Sequence, residues 1–129
     1  MADIIINTTS LNAYHSLMEM AKVFNRNEEE ADYIWSALIA NSDFMYEFVY
    51  YLEHGCLYDK LKIQGHSLTD IYVYHIGHYN LFISDIGKNN AACNKNAIVY
   101  DTFLTMAKLI LNPSDTLAML EKDLGQDKY

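Results

Sequence analysis

The stretch "SLTDIYVYHIGHYNLFISDIG", residues 67–87, decides the fold class, because it can be tested both as a helix and as a strand. Its odd and even positions do not separate into apolar and polar sets, as they would in a half-buried strand. Ser67 and Asp70 have the spacing of a helix cap, and Gly87 stands where a helix would end. The β-branched residues Ile71, Val73, Ile76 and Ile83 keep a strand as the alternative. The stretch predicts a helix, with an inward stripe of Leu68, Ile71, Tyr72, His75, Tyr79, Phe82, Ile83 and Ile86.

The same helix punctuation recurs on both sides of this stretch. Predicted helix starts, at residues that cap helices well, are Ser10, Asn27, Ser42, Asn94 or Asn96, and Ser114. Predicted ends are marked by Gly55, Pro113 and Gly125. We therefore predict an all-α protein, a compact bundle of about five or six short helices, with a short β element near residues 3–7 or 57–63 as an option.

Length and composition predict one globular domain over residues 1–129. Hydrophobic residues make up 51% of the chain, charged residues 20%, and there is one proline, which is typical of a globular protein. The N-terminal stretch "MADIIINTTS" has neither a basic start nor a long apolar core, so we expect a cytoplasmic protein. We expect Cys56 and Cys93 to be reduced thiols, since two cysteines are too few for a disulfide framework.

Charge is distributed unevenly along the chain. All of the formal net charge of −8 falls between Glu28 and Asp59, a segment without lysine or arginine. The remaining acids and bases cancel, and Arg26 is the single arginine of the sequence. Nucleic acids and anionic membranes are bound through clustered Lys and Arg, so we expect neither as a direct partner.

Four letters of the deciding stretch, His-Ile-Gly-His at 75–78, match a phosphate-binding signature of adenylyl-transferring enzymes. In those enzymes the signature follows the first strand of a doubly wound sheet and opens a helix. Here it lies mid-chain, with no preceding alternation of strands and helices and no glycine-rich turn. On a helix His75 would face the core and His78 would face outward, so we predict no catalytic residue in this motif.

A metal site is the alternative for the same region. His75 and His78 are three residues apart, which permits two ligands on one helix, and Asp85 could join them. No Cys-x-x-Cys or His-Glu-x-x-His pair accompanies them, so we predict neither a metal nor any other cofactor. Cys93 lies in an Asn-rich turn without an identifiable base and is not expected to be a nucleophile. We therefore predict that His75 is a partly buried, hydrogen-bonded core residue.

Tyrosine is abundant in the acidic segment, at Tyr33, Tyr46, Tyr50, Tyr51 and Tyr58. On the third helix we predict that Met45, Phe48, Val49 and Leu52 form the buried stripe. The other faces would then carry tyrosines and acids, a composition that favours protein interfaces. The predicted partner-binding residues are Glu28, Glu29, Glu30, Asp32, Tyr46, Glu47, Tyr50 and Glu53. The alternative is that the tyrosines complete a small aromatic core and the acids keep the protein soluble.

In general character, this small acidic, tyrosine-rich helical chain is similar to inhibitors that phages and other mobile elements direct at nucleic-acid-binding enzymes, such as anti-CRISPR or anti-restriction proteins. The similarity implies a non-catalytic protein whose acidic face occupies a basic groove of such an enzyme. With 17 acids in 129 residues, mimicry of DNA is expected only as a local patch. The oligomeric state stays open, with a homo-oligomer as one option. The alternative function is a small metal-dependent enzyme or metal-binding protein centred on His75, His78 and Asp85.

Overall fold

A computed structural model describes residues 2–86 and 95–127, and the side chains of residues 12–77 and 96–120. Within these ranges the chain forms six helices and one two-stranded antiparallel sheet. In chain order the elements are α1 (Ala2–Val23), α2 (Glu28–Ala40), α3 (Ser42–His54), β1 (Lys62–Ile63), β2 (His66–Ser67), α4 (Leu68–Ile86), α5 (Lys95–Leu111) and α6 (Pro113–Asp127). The prediction of an all-α bundle with a short β element is confirmed. Of the two places named for that element, residues 57–63 include β1, whereas residues 3–7 lie inside α1.

Helix α4 begins with reciprocal hydrogen bonds between Ser67 and Asp70. The backbone N–H of Ser67 donates to Asp70 Oδ2, and the backbone N–H of Asp70 donates to Ser67 Oγ, both at 3.1 Å. These bonds satisfy amide groups that the first helical turn leaves without intrahelical partners. The helix predicted for this stretch is confirmed through Ile86, and its predicted end, Gly87, lies outside the described residues.

The short sheet is a hairpin that leads directly into α4. Ile63 pairs with His66 across a two-residue turn of Gln64 and Gly65. Both turn residues have positive φ angles, 53° and 83°. This is the conformation that matches the twist of a tight hairpin, and glycine adopts it without steric cost.

Asparagine caps the second and third helices. Asn27 Oδ1 accepts a hydrogen bond from the first turn of α2 at 2.6 Å, so the predicted cap is confirmed. Asn41 Oδ1 accepts from the backbone N–H of Phe44 at 3.0 Å, so α3 is capped one residue before the predicted Ser42. Gly55 ends α3 with a φ of 73°, in the left-handed conformation expected of a glycine in this position.

The predicted start of the first helix at Ser10 is wrong, because α1 already begins at Ala2. Serine caps helices well but is also tolerated within them, so its presence alone does not fix a helix start. The buried residues of α1, which are Ala13, Leu17 and Ala21, are nevertheless spaced at the helical period.

Helix α5 lies at the centre of the bundle and packs against α2, α4 and α6. The predicted stripe of Val99, Phe103 and Met106 is buried, with Ile110 half-buried. A single stripe understates the burial, however, because other faces of the helix are buried too, at Tyr100, Leu104, Ala107 and Leu109. A helix that is apolar around most of its surface is typical of a central position.

The N-terminal end of α5 differs from its prediction. Asn96 is not the cap but a residue inside the helix, and its Oδ1 accepts a hydrogen bond from Tyr51 Oη at 2.6 Å. The other predicted cap, Asn94, lies outside the described residues. The rings of Phe44, Phe48 and Tyr51 surround that of Phe103 at centroid distances of 5.6, 5.2 and 6.0 Å, which joins α3 to α5.

An ion pair and the last helix also lie against α5. The guanidinium of Arg26, between α1 and α2, donates to both carboxylate oxygens of Asp101 at 3.2 and 3.1 Å. Helix α6 begins at Pro113 rather than Ser114, buries Leu120, and continues past the predicted end at Gly125.

No helix in the described residues has the length and apolar character needed to cross a membrane.

Candidate functional site

Three tyrosine rings contact one another on the outer face of α3. The Tyr46 and Tyr58 rings lie 5.0 Å apart edge to face, and the Tyr50 ring lies 4.9 Å from Tyr58 and 6.2 Å from Tyr46. The imidazole of His54 stacks on Tyr50 at 4.1 Å. We call Tyr46, Tyr50, His54 and Tyr58 the tyrosine cluster. It lies outside the core, with Tyr46 54% and Tyr58 39% exposed.

Local helix geometry accounts for most of this surface. Asp43, Tyr46, Tyr50 and Glu53 are spaced by three, four and three residues, so they share one face of α3. Asp43 and Glu53 are both exposed at the two ends of this row. Tyr58 lies outside α3, in the segment between α3 and β1. Helical periodicity therefore cannot predict the position of its ring.

Glu47 lies in the core, so its predicted place on the exposed face is wrong. The side chain is 1% exposed. Its Oε1 accepts a hydrogen bond from the backbone N–H of Asp59, and its Oε2 accepts from Lys60 and Leu61, all at 2.9 Å. Burial of a carboxylate is costly unless hydrogen bonds replace its hydration, and three amide donors supply that replacement. This carboxylate is therefore too buried to contact a partner.

The hydrogen bonds of Glu47 also shape the tyrosine cluster. They fix the backbone immediately after Tyr58, where Asp59 adopts a positive φ of 64°. The carboxylate of Asp59 in turn accepts from the backbone N–H of Thr69 at 3.0 Å, which anchors the segment to the start of α4. The Glu47 hydrogen bonds therefore hold the segment that carries Tyr58 against α3, where the Tyr58 ring contacts Tyr46 and Tyr50.

The predicted buried stripe of α3 is rotated relative to the structure. Phe48 is buried as predicted, but Met45 and Val49 are only half-buried and Leu52 is exposed. Phe44, Glu47 and Tyr51 are buried with Phe48 instead. The predicted stripe is entirely apolar, whereas the buried face includes Glu47. A glutamate is expected at the surface, but here backbone amides of the segment after α3 satisfy its carboxylate.

The electrostatic surroundings of the cluster are mixed. Asp43, Tyr46 and Tyr58 line a cavity of about 380 Å³ together with Lys60 and Lys62. The count of charges along the sequence places these lysines just beyond the acidic segment, but the fold brings them back beside it. The lysines therefore offset the acidic character predicted for this surface on the side of Asp43.

The remaining predicted binding residues lie on α2. Glu28, Glu29 and Asp32 are exposed, and Glu30 is half-buried. Glu29 and Glu30 line a groove between α2, α5 and α6 that includes no member of the tyrosine cluster. The eight predicted residues therefore divide among two separate surfaces and, for Glu47, the core.

Among the described side chains, tyrosines lie both in the core and at the surface. Tyr51 and Tyr100 are buried in the core, whereas Tyr46 and Tyr58 are exposed. Burial raises the pKa of Tyr51, with Tyr72 adding to the effect, and it raises the pKa of Tyr100 to about 12, with Glu30 adding to the effect. Tyr100 Oη is also buried without a hydrogen-bond partner among the described residues.

The described part of the histidine motif contacts the core helix α5. His75 is half-buried, and its Nε2 lies 2.9 Å from Thr105 Oγ1, which agrees with the prediction of a partly buried, hydrogen-bonded residue. The hydroxyl of Thr105 donates to the carbonyl of Asp101 at 3.0 Å, so its oxygen is left to accept a hydrogen bond from His75 Nε2. The side chains of His78 and Asp85 lie outside the described residues.

No group of three His, Cys, Asp or Glu side chains within the described ranges is placed to hold a metal ion. Of the two cysteines, Cys56 is an exposed free thiol, and Cys93 lies outside these ranges. The chain matches no protein-family model, no curated protein and no solved structure. Any function must therefore be argued from the chemistry of its own surfaces.

Proposed function

We propose that this chain is a non-catalytic binding protein whose tyrosine cluster docks into a basic groove of a nucleic-acid-binding enzyme and inhibits that enzyme. The observation that carries the proposal is the contact of the Tyr46, Tyr50 and Tyr58 rings outside the core. Tyrosine offers a large apolar area and a polar tip at a low cost in conformational entropy, so it is enriched at the centres of interfaces.

Preorganisation supports the same proposal. The rings are held in mutual contact by the Glu47 hydrogen bonds to the segment that carries Tyr58. A surface that is already ordered loses less conformational freedom on association than a flexible one, so more of its contact energy appears as affinity. This support is independent of the charge of the surface.

Charge favours a basic partner. The net charge of −8 steers the protein towards positive surfaces, and Glu53 lies on the same face as the cluster. Lys60 and Lys62 border the other side, so the proposed mimicry of an acidic ligand is local. Inhibitors of the anti-CRISPR or anti-restriction type act on enzymes of this class, and we place the encounter in the cytoplasm.

The test compares two double variants that each remove two exposed apolar side chains. Tyr46→Ser with Tyr58→Ser alters the cluster, and Ile39→Ser with Val73→Ser alters exposed residues elsewhere. Each immobilised protein, checked for folding by circular dichroism, is exposed to a cell lysate, and captured enzymes are assayed for nucleic-acid binding. We expect the wild type and the Ile39/Val73 variant to capture and inhibit the same enzyme. Capture that survives loss of both tyrosines would refute the proposal.

A further inference from the structure

A second concave surface lies between α2, α5 and α6. The groove has a volume of about 550 Å³, within the range of about 300 to 1,000 Å³ that is typical of ligand clefts. Tyr33, Leu104 and Met119 supply its apolar lining, and Met119 is 41% exposed. None of these three side chains belongs to the tyrosine cluster, so the groove is a separate feature of the surface.

The charges along this groove favour a cationic ligand. Glu29, Glu30 and Asp115 supply three carboxylates, against the single ammonium of Lys108. Among the described side chains, Lys108 forms no ion pair with any of them. An apolar and aromatic lining beside an excess of carboxylates complements one kind of side chain, an arginine with its aliphatic stem and planar cation.

We infer that the groove binds an arginine-bearing segment of a basic protein partner. The stem of the arginine packs against Leu104 and Met119, and its guanidinium pairs with the carboxylates, with the ring of Tyr33 available for stacking. The inference deepens the proposed function, on which it rests for the identity of the partner. It adds a second point of attachment, whose geometry differs from that of the tyrosine cluster.

The inference is tested without the natural partner. The probe is a fluorescein-labelled hexapeptide of alternating leucine and arginine, and the control peptide carries neutral citrulline in place of arginine. We expect saturable binding of the arginine peptide, measured by fluorescence anisotropy, and much weaker binding of the citrulline peptide. With ¹³C-methyl methionine, the Met119 signal should shift on titration, and that of Met45, which lies outside the groove, should not.

Matched charge variants separate the groove from general attraction to an acidic protein. Glu30→Gln with Asp115→Asn should raise the Kd of the peptide about fivefold. Glu19→Gln with Asp43→Asn removes the same charge outside the groove and should change the Kd by less than about twofold. Both proteins are checked for folding by thermal denaturation. Equal effects of the two variants, or an unshifted Met119 signal, would overturn the inference.

The outcomes distinguish this inference from the proposed function. If the peptide does not bind in the groove but partner capture depends on Tyr46 and Tyr58, the inference fails and the proposed function stands. If the peptide binds in the groove but capture does not depend on the tyrosines, the proposed function fails and the groove remains a site for arginine.

Discussion

The carboxylate of Glu47 accepts a hydrogen bond from the backbone N–H of Lys60 at 2.9 Å, across thirteen positions of the sequence. The same oxygen accepts from Leu61, and the other oxygen accepts from Asp59. Glu47, which the sequence predicts to be exposed, is therefore buried and links α3 to the segment that carries Tyr58. This relationship leads to the most direct test of the structure.

Replacement of Glu47 by Gln should destabilise the fold by about 2 to 4 kcal/mol, because the amide of glutamine turns an N–H group towards donors that need an acceptor. Glu53→Gln changes an exposed residue of the same helix and should alter stability by less than about 0.5 kcal/mol. Urea unfolding of both variants checks the difference. Equal midpoints would mean that Glu47 is not buried among these amides.

Tyr100→Phe should stabilise the protein by about 1 kcal/mol, since it removes a buried hydroxyl that lacks a described hydrogen-bond partner. The pKa of Tyr100 is raised from 10.0 to about 12. The unfolded chain therefore loses this proton first, and the contribution to stability falls as pH rises from 10 towards 12. Denaturation from pH 8 to 12 should show a weaker alkaline loss in Tyr100→Phe than in the wild type. Tyr58→Phe, at an exposed ring, serves as the control.

Asp70 should contribute stability that disappears in acid. The backbone N–H of Ser67, together with its side chain and the nearby His66 and Lys62, lowers the pKa of Asp70 below 3.8. The contribution is therefore present above that pH and is lost as the pH falls through the folded-state pKa. Asp70→Asn should be less stable than the wild type at pH 7, and the difference should shrink as the pH falls below 3.8. Asp32→Asn, at an exposed position of α2, is the matched control.

Association with the captured partner should weaken as salt rises, because the Debye length falls from about 10 Å at 0.1 M to about 3 Å at 1 M. Glu53→Gln should slow association at low salt, whereas Glu19→Gln, on the exposed side of α1, should not. Tyr46→Ala should mainly accelerate dissociation, by an amount equivalent to about 1 to 3 kcal/mol. Surface plasmon resonance at several salt concentrations measures both rates. Indistinguishable association rates for the two glutamine variants would argue against steering by this face.

His75→Ala should cost about 1 to 2 kcal/mol of stability through lost packing and the lost contact with Thr105. Combination with His78→Ala should leave partner binding intact. Metal analysis of the purified wild type tests the alternative function. Stoichiometric zinc that only a chelator removes, together with loss of activity in the folded double variant, would favour a metal-dependent protein over the proposed inhibitor.

The sequence by itself determined the helical class and several helix ends, because these depend on interactions between residues three or four positions apart. Ser67 and Asp70 form their predicted cap within a single turn. Gly55 takes the left-handed conformation that its lack of a side chain permits. The shared face of Tyr46 and Tyr50 follows from the same helical period.

Only the tertiary structure decided which charges and rings meet. Burial of Glu47 depends on backbone amides twelve to fourteen positions away, and no local pattern encodes those donors. The fold brings Tyr58 and Lys60 back to α3, and it separates Glu30 from the tyrosine cluster by placing it beside α5 and α6. Periodicity identifies a face of each helix, but the identity of the neighbour on that face depends on how the chain returns, which is a non-local property of the packed bundle.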